Sequence, residues 1–463
     1  MDLSPDLPPE RRVWPNRTLN LRSMRAIGYD MDYTLVRYNT DEWERAAFEH
    51  ALPLLAARGW PVDGLEFDPE AVTQGLVFDL ELGNLVKGTR FGYVLRAAHG
   101  TRVLGYDELR DAYAGTRVDL SEPRWEFTNT MFSLSQSSLY AQLVDHLDEG
   151  RLPGVVGYAE LYAAVGRAID HVHVHSELKP GILHDPDRFI DADPDIPQTL
   201  IDQRAAGKKV MLITNSDWEY TQKVMRIAVD PFVPDGGSWR DLFDLVIVSA
   251  RKPGFFTSRH ACFRVVDDDA GLLVPHYGAL EAGHVYVGGD AQLVEQSFGL
   301  RGDEILYVGD HLFGDVHVTK ITLSWRTALI VSELEDEIMD AEAFAETEQQ
   351  LVSLMGHKEA LERQLAVARL RRSRGEDVGD DLDELQSTIR ELDDAIGPLA
   401  KRSGELTNPS WGPIMRAGID KSIFARQVER YADVYTSRAS NLGLVTPYAY
   451  LRAPKSDLPH DHR

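Results

Sequence analysis

Four short runs of apolar residues lie along the chain, and each ends where polar residues or glycine begin. They are MRAIGYD at 24–30, KVMLITN at 209–215, FDLVIVSA at 243–250 and EILYVGD at 304–310. Short runs rich in Val, Ile and Leu, with room between them for crossover helices, are typical of buried parallel strands. The pattern predicts an α/β fold with a doubly wound parallel sheet, whose ligand site lies at the carboxyl ends of the strands.

The first two runs are separated by about 180 residues, far more than one crossover helix needs. We therefore predict that a cap and substrate-specificity domain is inserted at 45–178, so that 17–44 and 179–334 form the core. Within the cap, the apolar spacing and the terminating Gly and Pro residues predict two helices, at 105–115 and 137–150. A smaller insertion at 255–285, with acidic residues and Gly between apolar runs, predicts a hairpin.

The segment 335–403 has a different pattern, because its apolar residues recur at alternating steps of three and four. The repeating residues are Leu382, Leu385, Ile389, Leu392, Ile396 and Leu399, preceded by Leu351, Leu354, Leu361 and Leu365. This heptad spacing is typical of coiled coils, and GEDVGDD at 375–381 is suited to a turn. We predict an antiparallel helical hairpin that either packs only on itself or forms an oligomer contact. The remaining segment, 404–455, is expected to pack back on the core.

Composition and charge narrow the class of protein. The chain has 49 basic and 74 acidic residues, a formal charge of −25, which argues against a nucleic-acid-binding surface. No apolar stretch approaches the ~18 residues that cross a bilayer, so we expect no membrane partner. Cys262 is the only cysteine, which excludes an intrachain disulfide and suggests a reducing compartment. We expect a cytoplasmic protein that forms a homo-oligomer, a dimer or a tetramer.

Candidate chemistry begins at the end of the first apolar run. Asp30 and Asp32 stand two positions apart in DMDYT, where the chain leaves the strand. Two carboxylates in one cleft need a counter-ion, and Mg²⁺ suits oxygen ligands and also bridges to phosphate oxygens. An N-cap or a solvated loop would explain the pair equally well when it is taken alone.

The second and third runs also end in polar residues. Thr214, Asn215 and Ser216 are short donors suited to phosphate oxygens, although a helix N-cap would also explain them. Lys252 follows the third run, where it can offset charge on a transferring phosphoryl group or simply lie at the surface. The fourth run leads into GDHLFGD, which supplies Asp310 and Asp315 as further candidate ligands for magnesium.

In this order, the motifs resemble the haloacid dehalogenase-like superfamily. Longer segments resemble its cytosolic purine 5′-nucleotidase family. These segments are DMDYTL from residue 30, TNSDWEYT at 214–221, RKPGFF at 251–256, YVGDHLFGD at 307–315 and QVERYADVYTS at 427–437. The resemblance implies hydrolysis of nucleoside 5′-monophosphates, with IMP and GMP preferred, and allows transfer of the phosphoryl group to another nucleoside. The alternatives are a phosphatase for another small phosphate ester and a non-catalytic nucleotide-binding regulator.

The resemblance also implies roles for the motif residues. Asp30 would attack phosphorus to form an aspartyl-phosphate, and Asp32 would serve as general acid and then as general base. Thr214 and Lys252 would hold the phosphoryl oxygens. The ligands implied for Mg²⁺ are the Asp30 carboxylate, the Asp32 backbone carbonyl and Asp310, with Asp315 supporting them.

Substrate choice is expected to lie in the cap. The resemblance implies that Phe132, in the segment that begins at Asn129, stacks on the purine, and it places Asp170, His173 and Lys179 at positions that contact base and phosphate. Without the resemblance, Phe132 would be an ordinary core aromatic.

A rival reading involves the same stretch of the cap. His171, His173 and His175 alternate, so on a strand they would line one face like a ligand set for a transition metal. Simple exposure of alternating histidines is the other interpretation.

Overall fold

A ten-stranded, mostly parallel sheet lies at the centre of the computed structural model, which describes residues 7–175, 178–378 and 381–455. Its seven parallel strands are, in spatial order, Val434–Thr436, Arg326–Ile330, Ile305–Gly309, Ala26–Tyr29, Lys209–Ile213, Leu245–Val248 and Val285–Gly288. Antiparallel strands complete the edges, with Trp14–Pro15 at one and Cys262–Asp267 followed by Leu272–His276 at the other. The predicted α/β fold class and all four predicted strands are confirmed.

The central strands are continuously apolar because both faces of the sheet are covered. Ile27 and Leu306 belong to one hydrophobic cluster, whereas the alternate residues Ala26 and Ile305 belong to another on the opposite face. Helices that accompany the core strands are Leu178–His184, Pro186–Phe189, Ile196–Ala205, Trp218–Ala228, Gly254–Thr257, Ala291–Phe298, Val318–Leu323, Ile423–Tyr431 and Asn441–Leu444. Packing on both faces of the sheet therefore holds the carboxyl ends of its central strands in fixed positions.

The hairpin predicted at 255–285 is confirmed. Its strands, Cys262–Asp267 and Leu272–His276, pair with each other, and the first also pairs with Val285–Gly288. The hairpin therefore extends the main sheet instead of forming a separate unit. The segment 404–455 returns to the core, because its strand Val434–Thr436 joins the same sheet beside Arg326–Ile330.

The inserted region contains its own antiparallel sheet of five strands. In spatial order these are Arg102–Val103, Val94–His99, Asn84–Gly88, Val77–Asp79 and Trp125–Phe127. Helices Tyr106–Tyr113 and Leu134–Asp148 match the two predicted ones. The helix Thr40–Ala56, in which the predicted boundary falls, packs on Leu134–Asp148 and on Tyr158–His175. The division of the chain into domains stays a prediction.

The helix Tyr158–His175 corrects the interpretation of the alternating histidines. Its buried residues are Leu161, Ala164, Val165, Ala168, Ile169 and Val172, which follow the helical period of 3.6. Residues two apart on a helix point about 200° away from each other, so His171 and His173 cannot line one face. The rival interpretation, a strand bearing a histidine metal site, is therefore wrong, and the side chain of His175 lies outside the described residues.

The predicted helical hairpin is confirmed. After the helix Leu334–Ala343, helices Ala345–Ser373 and Asp381–Gly404 pack along each other. They run antiparallel, because Ser403 donates to Glu348 at 3.1 Å and Lys358 forms an ion pair with Asp393 farther along.

The described chain also has three two-stranded pairings. These are Leu19–Asn20 with Tyr450–Leu451, Arg37–Tyr38 with Ile190–Asp191, and Arg416–Ala417 with Asp420–Lys421. Across the ranges given above, no helix has the length and apolarity that a membrane crossing requires.

Candidate active site

The candidate site lies where the two central strands end side by side. Ala26–Tyr29 and Ile305–Gly309 are neighbours in the sheet, and the aspartates that follow them, Asp30 and Asp310, are both buried. Crossovers leave this point toward opposite edges of the sheet, which is where open α/β sheets bind ligands. Asp315 joins them, and ligand oxygens of the three carboxylates all lie within 4.8 Å of one another.

Asp30 carries a carboxylate that is held on both sides. Its Oδ2 lies 2.7 Å from Nζ of Lys252, and its Oδ1 accepts a 2.8 Å hydrogen bond from the backbone N–H of Met31. Burial raises the pKa of Asp30 to about 6, with Lys252 opposing the shift and Asp315 adding to it. These two contacts therefore fix the orientation of the carboxylate at the carboxyl end of the strand.

Lys252 is the cation of the site, and only 4% of its side chain is exposed. Its Nζ contacts Asp30, lies 2.9 Å from Asp315 and donates to the Tyr307 hydroxyl at 3.0 Å. Burial alone would lower the pKa of Lys252, but the two carboxylates outweigh burial and raise it well above its ordinary value. The Asn215 side chain holds the Lys252 backbone, accepting from its N–H at 2.6 Å and donating to its carbonyl at 3.1 Å.

The turn after the fourth predicted strand brings Asp315 back to the sheet edge. The Asp315 N–H donates to the His311 carbonyl at 2.9 Å, and His311 Nδ1 accepts from the Gly314 N–H at 2.8 Å. A β-carbon at Gly309 would lie only 2.5 Å from Oδ2 of Asp315. Glycine is therefore required at position 309 for this close approach.

The three carboxylates fit a hard divalent cation. Burial raises the pKa of Asp310 well above its ordinary value, and the charges of Asp30 and Asp315 raise it further. Lys252 alone thus leaves an excess of buried negative charge, which an oxygen-preferring cation would neutralise. Among the residues described, this is the one group of three or more metal-ligating side chains whose ligand atoms all lie within 4.8 Å of one another.

Asp32 lies beside this cluster with different partners. The Tyr38 hydroxyl donates to Oδ1 at 2.6 Å, and the Ser216 hydroxyl donates to Oδ2 at 2.7 Å. Burial raises the pKa of Asp32, while Lys179, Tyr38 and Ser216 oppose that shift. The structure therefore separates Asp32 from the ammonium group that contacts Asp30.

Ser216 links Asp32 to the cap side of the site. Lys179 Nζ donates to the Ser216 hydroxyl at 3.3 Å and lies 4.7 Å from the centre of the Tyr220 ring. Thr214 is fully buried at the end of its strand, and its hydroxyl accepts from the Ser216 N–H at 3.1 Å. The predicted run at 214–216 thus lies on the same edge as the acids.

Phe132 lies in a cluster of aromatic rings above this edge. Its ring centre is 4.8 Å from that of Tyr33, 5.7 Å from that of Trp43 and 5.2 Å from that of His173. The segment that contains Phe132 and the helix that contains His173, which the family resemblance assigned to base recognition, therefore contact each other. Phe132 is half-buried, so it packs against the core while keeping an accessible surface.

Two polar groups near Phe132 lack partners. Nε2 of His173 and Oδ1 of Asn129 are buried and make no hydrogen bond within the described ranges. Burial, aided by Lys179, lowers the pKa of His173 to about 4, so this imidazole is neutral at pH 7. Asp170 lies one helical turn before His173 and is exposed. Unpartnered buried groups are costly, which makes a polar ligand here favourable.

Sequence reasoning missed four residues that support the site. Tyr38 holds Asp32, Tyr307 receives Lys252, Thr130 donates to Asp310 at 3.3 Å, and His311 caps the turn that carries Asp315. Tyr307 and Thr130 look like ordinary buried residues in the sequence. His311 could have been noticed in the sequence, because it lies between the two acids of GDHLFGD.

Comparison with solved structures gives weak global likenesses. A haloacid dehalogenase-like family hydrolase from Xanthomonas campestris has a TM-score of 0.26 and 13% identity, covering 66% of this chain and 82% of that one. A β-phosphoglucomutase from a Pyrococcus strain has a TM-score of 0.32 and 10% identity, covering 66% and 86%. TM-scores this low give no information about the reaction that this protein catalyses.

Comparison of sequences is far more informative. The human 5′-nucleotidase domain-containing protein 2 is 29% identical over 462 residues, which is 95% of this chain and 84% of the human protein. The rat protein of the same name is 30% identical over 457 residues, or 94% of this chain and 78% of the rat protein. A model of the 5′ nucleotidase family matches residues 13–463. Since this match spans nearly the whole chain, the protein belongs to the 5′ nucleotidase family.

Proposed function

We propose that the protein is a Mg²⁺-dependent 5′-nucleotidase that hydrolyses purine nucleoside 5′-monophosphates, with IMP and GMP preferred, through an aspartyl-phosphate on Asp30. The observation that carries the proposal is the arrangement of Asp30, Lys252, Asp310 and Asp315, with Asp32 held separately beside them. Membership of the 5′ nucleotidase family supports the same reaction class. We also propose that the protein is cytoplasmic, in keeping with its single cysteine.

In the first step, an Asp30 carboxylate oxygen attacks phosphorus and the bond from phosphorus to the ribose oxygen breaks. Asp32 gives its proton to the departing oxygen, for which its raised pKa suits it. In the second step, Asp32 takes a proton from water as the water attacks the aspartyl-phosphate. Inorganic phosphate leaves and the Asp30 carboxylate is restored. If a nucleoside hydroxyl takes the place of water, the phosphoryl group is transferred instead.

The other residues of the site offset the charge of the phosphoryl group and hold it in position. Lys252 and Thr214 hold phosphoryl oxygens, with Lys252 kept in place by Asn215. The carboxylates of Asp30, Asp310 and Asp315 would hold Mg²⁺, together with the Asp32 backbone carbonyl that the family resemblance implies. When bound, the ion offsets negative charge on the phosphoryl group.

The purine would lie against Phe132. Nε2 of His173 and Oδ1 of Asn129 are the buried groups that a base with donors and acceptors on its edge would satisfy. The family resemblance assigns Asp170 and Lys179 to contacts with base and phosphate, and Ser216 connects Lys179 to Asp32. The preference for IMP and GMP follows from the resemblance to the cytosolic purine 5′-nucleotidase family, and a hypoxanthine or guanine ring, with an oxo acceptor and an N–H donor, could satisfy both buried groups.

The test is release of inorganic phosphate from IMP, GMP, AMP, CMP and p-nitrophenyl phosphate, with Mg²⁺ and with EDTA. We expect Mg²⁺-dependent release that is fastest for IMP and GMP, and loss of release in Asp30→Asn. Asp41→Asn is the matched control, because Asp41 is an exposed acid of the next helix. A folded Asp30→Asn protein with unchanged turnover would refute the mechanism, and a KM for IMP and GMP no lower than that for p-nitrophenyl phosphate would refute the substrate class.

A further inference from the structure

The first helix of the hairpin, Ala345–Ser373, carries apolar side chains that are exposed. The exposed fractions are 62% for Val352, 46% for Met355, 58% for Val367 and 50% for Leu370. Long side chains such as these are normally buried when they recur on one face of a helix. A binding partner that covered this face would remove these side chains from water.

These four residues lie on one side of the first helix, and Val367 also borders the cleft between the two helices, beside Leu385 and Thr388 of the second. At about 100° per residue, all four lie within about 60° of one line along the helix. Leu365 and Ala368 lie on the opposite side, where they pack with Leu382 of the second helix. The first helix therefore has two apolar faces. One packs against the second helix, and the other is exposed to solvent.

The order of residues on the open face is symmetric about position 361. Val352 and Leu370 are each nine residues from this position, and Met355 and Val367 are each six. Glu359 and Arg363 are each two residues from it, on the same face, and form an exposed ion pair at 3.2 Å. If two copies of this helix lie antiparallel and cross at position 361, apolar residues of one copy face apolar residues of the other, and Glu359 faces Arg363.

We propose that a second copy of this chain packs on this face, with the two helices antiparallel about a two-fold axis near residue 361. In this arrangement Val352 contacts Leu370 of the other copy, Met355 contacts Val367, and Glu359 pairs with Arg363 in both directions. A two-fold interface must be self-complementary, which is what this order provides. A parallel pairing is disfavoured, because it would place Glu359 against Glu359 and Arg363 against Arg363.

Charge reversal tests the proposal on the full chain by light scattering. We expect Glu359→Arg and Arg363→Glu each to halve the mass of the assembly, because each puts like charges across the axis. The double variant Glu359→Arg/Arg363→Glu should restore the wild-type mass. Glu391→Arg is the matched control, because Glu391 is an exposed acid of the second helix. Phosphate release and helix content should stay unchanged in all four variants.

Disulfide cross-linking tests the register. In a Cys262→Ser background, Val352→Cys with Leu370→Cys should give a covalent dimer on oxidation. The two positions are 18 residues apart, about 27 Å along one helix, so they cannot bridge within a chain. Val352→Cys alone should not cross-link in the antiparallel register. A monomeric wild-type protein, a mass insensitive to both charge reversals, or equally efficient cross-linking by Val352→Cys alone would overturn the proposal.

Discussion

The hydroxyl of Tyr38 donates a 2.6 Å hydrogen bond to Oδ1 of Asp32, and it accepts in turn from the hydroxyl of Tyr220 at 3.0 Å. Tyr38 lies in the short strand Arg37–Tyr38, directly after the turn that follows the first parallel strand. This tyrosine therefore fixes the direction of the Asp32 carboxyl group without contacting Asp30. It makes Tyr38 a positioning residue for the proposed general acid.

The first prediction concerns Tyr38→Phe. Loss of a hydrogen bond to a charged group costs about 1.5–3 kcal/mol, so turnover of IMP should fall roughly tenfold or more. Hydrolysis of p-nitrophenyl phosphate should fall much less, because its leaving group needs no acid. Since Tyr38 lowers the pKa of Asp32, the alkaline limb of the pH–rate profile for IMP should move upward.

Tyr106→Phe provides the control for this measurement, because Tyr106 is 77% exposed in the cap region. Equal slowing of both substrates by Tyr38→Phe, with no movement of the pH profile, would show that Tyr38 only supports the local structure.

Asp30 and Asp310 could be placed at the site from sequence because each directly follows a continuous apolar strand, and carboxyl ends of parallel strands meet at one edge. For Lys252 this rule left a surface position open, and the family resemblance assigned its role. Tyr38 and Thr130 could not be predicted in this way. They reach the site from a short strand and from the inserted region, and their contacts depend on how these elements pack.

The same limit applies to the fold. The strands Val285–Gly288, Arg326–Ile330 and Val434–Thr436 were not predicted from the sequence. At 171–175 the alternating histidines would line one face only if the segment were a strand. The buried positions from Leu161 to Val172 follow a helical period, and packing of this face decides the structure.

The second prediction concerns recognition of the base. His173→Ala should raise KM for IMP and GMP about tenfold, because it removes a buried group proposed to bind the purine edge. The rate with p-nitrophenyl phosphate should change less than about twofold, since this ester has no purine to recognise. Steady-state kinetics on both substrates measure the difference. His357→Ala, at an exposed position on the helical hairpin, is the control. Equal losses on both substrates would assign His173 to the phosphate or to packing.

The third prediction concerns Gly309→Ala. The added methyl group would meet Oδ2 of Asp315 at 2.5 Å and its Cβ at 2.8 Å, so the Asp315 side chain must move. We expect the Mg²⁺ concentration for half-maximal phosphate release to rise and the thermal shift produced by Mg²⁺ to shrink. Gly181→Ala is the control, because a β-carbon there would meet nothing within 4 Å. An unchanged response to Mg²⁺ would remove Asp315 from the proposed metal site.

The fourth prediction uses a buried acid that has no role in the proposed chemistry. Glu44, on the helix Thr40–Ala56, is fully buried and accepts a 2.7 Å hydrogen bond from the Ser135 N–H, while its Oε1 has no partner in the described chain. Burial raises its pKa to about 7, above the value of 4.5 expected in the unfolded chain. Between these two pH values the folded protein binds more protons than the unfolded chain. The free energy of unfolding should therefore fall as pH rises through this window.

Glu44→Gln should remove this part of the pH dependence, because glutamine does not titrate. The shift corresponds to roughly 3 kcal/mol between pH 4.5 and pH 7. Urea unfolding of both proteins across this range isolates the effect, since every other group titrates alike in the two proteins. Glu49→Gln, at an exposed position on the same helix, should leave the wild-type slope unchanged. If the Glu44→Gln curve runs parallel to the wild-type curve, Glu44 is ionised in the folded protein and its buried carboxylate must be stabilised by a partner beyond Ser135.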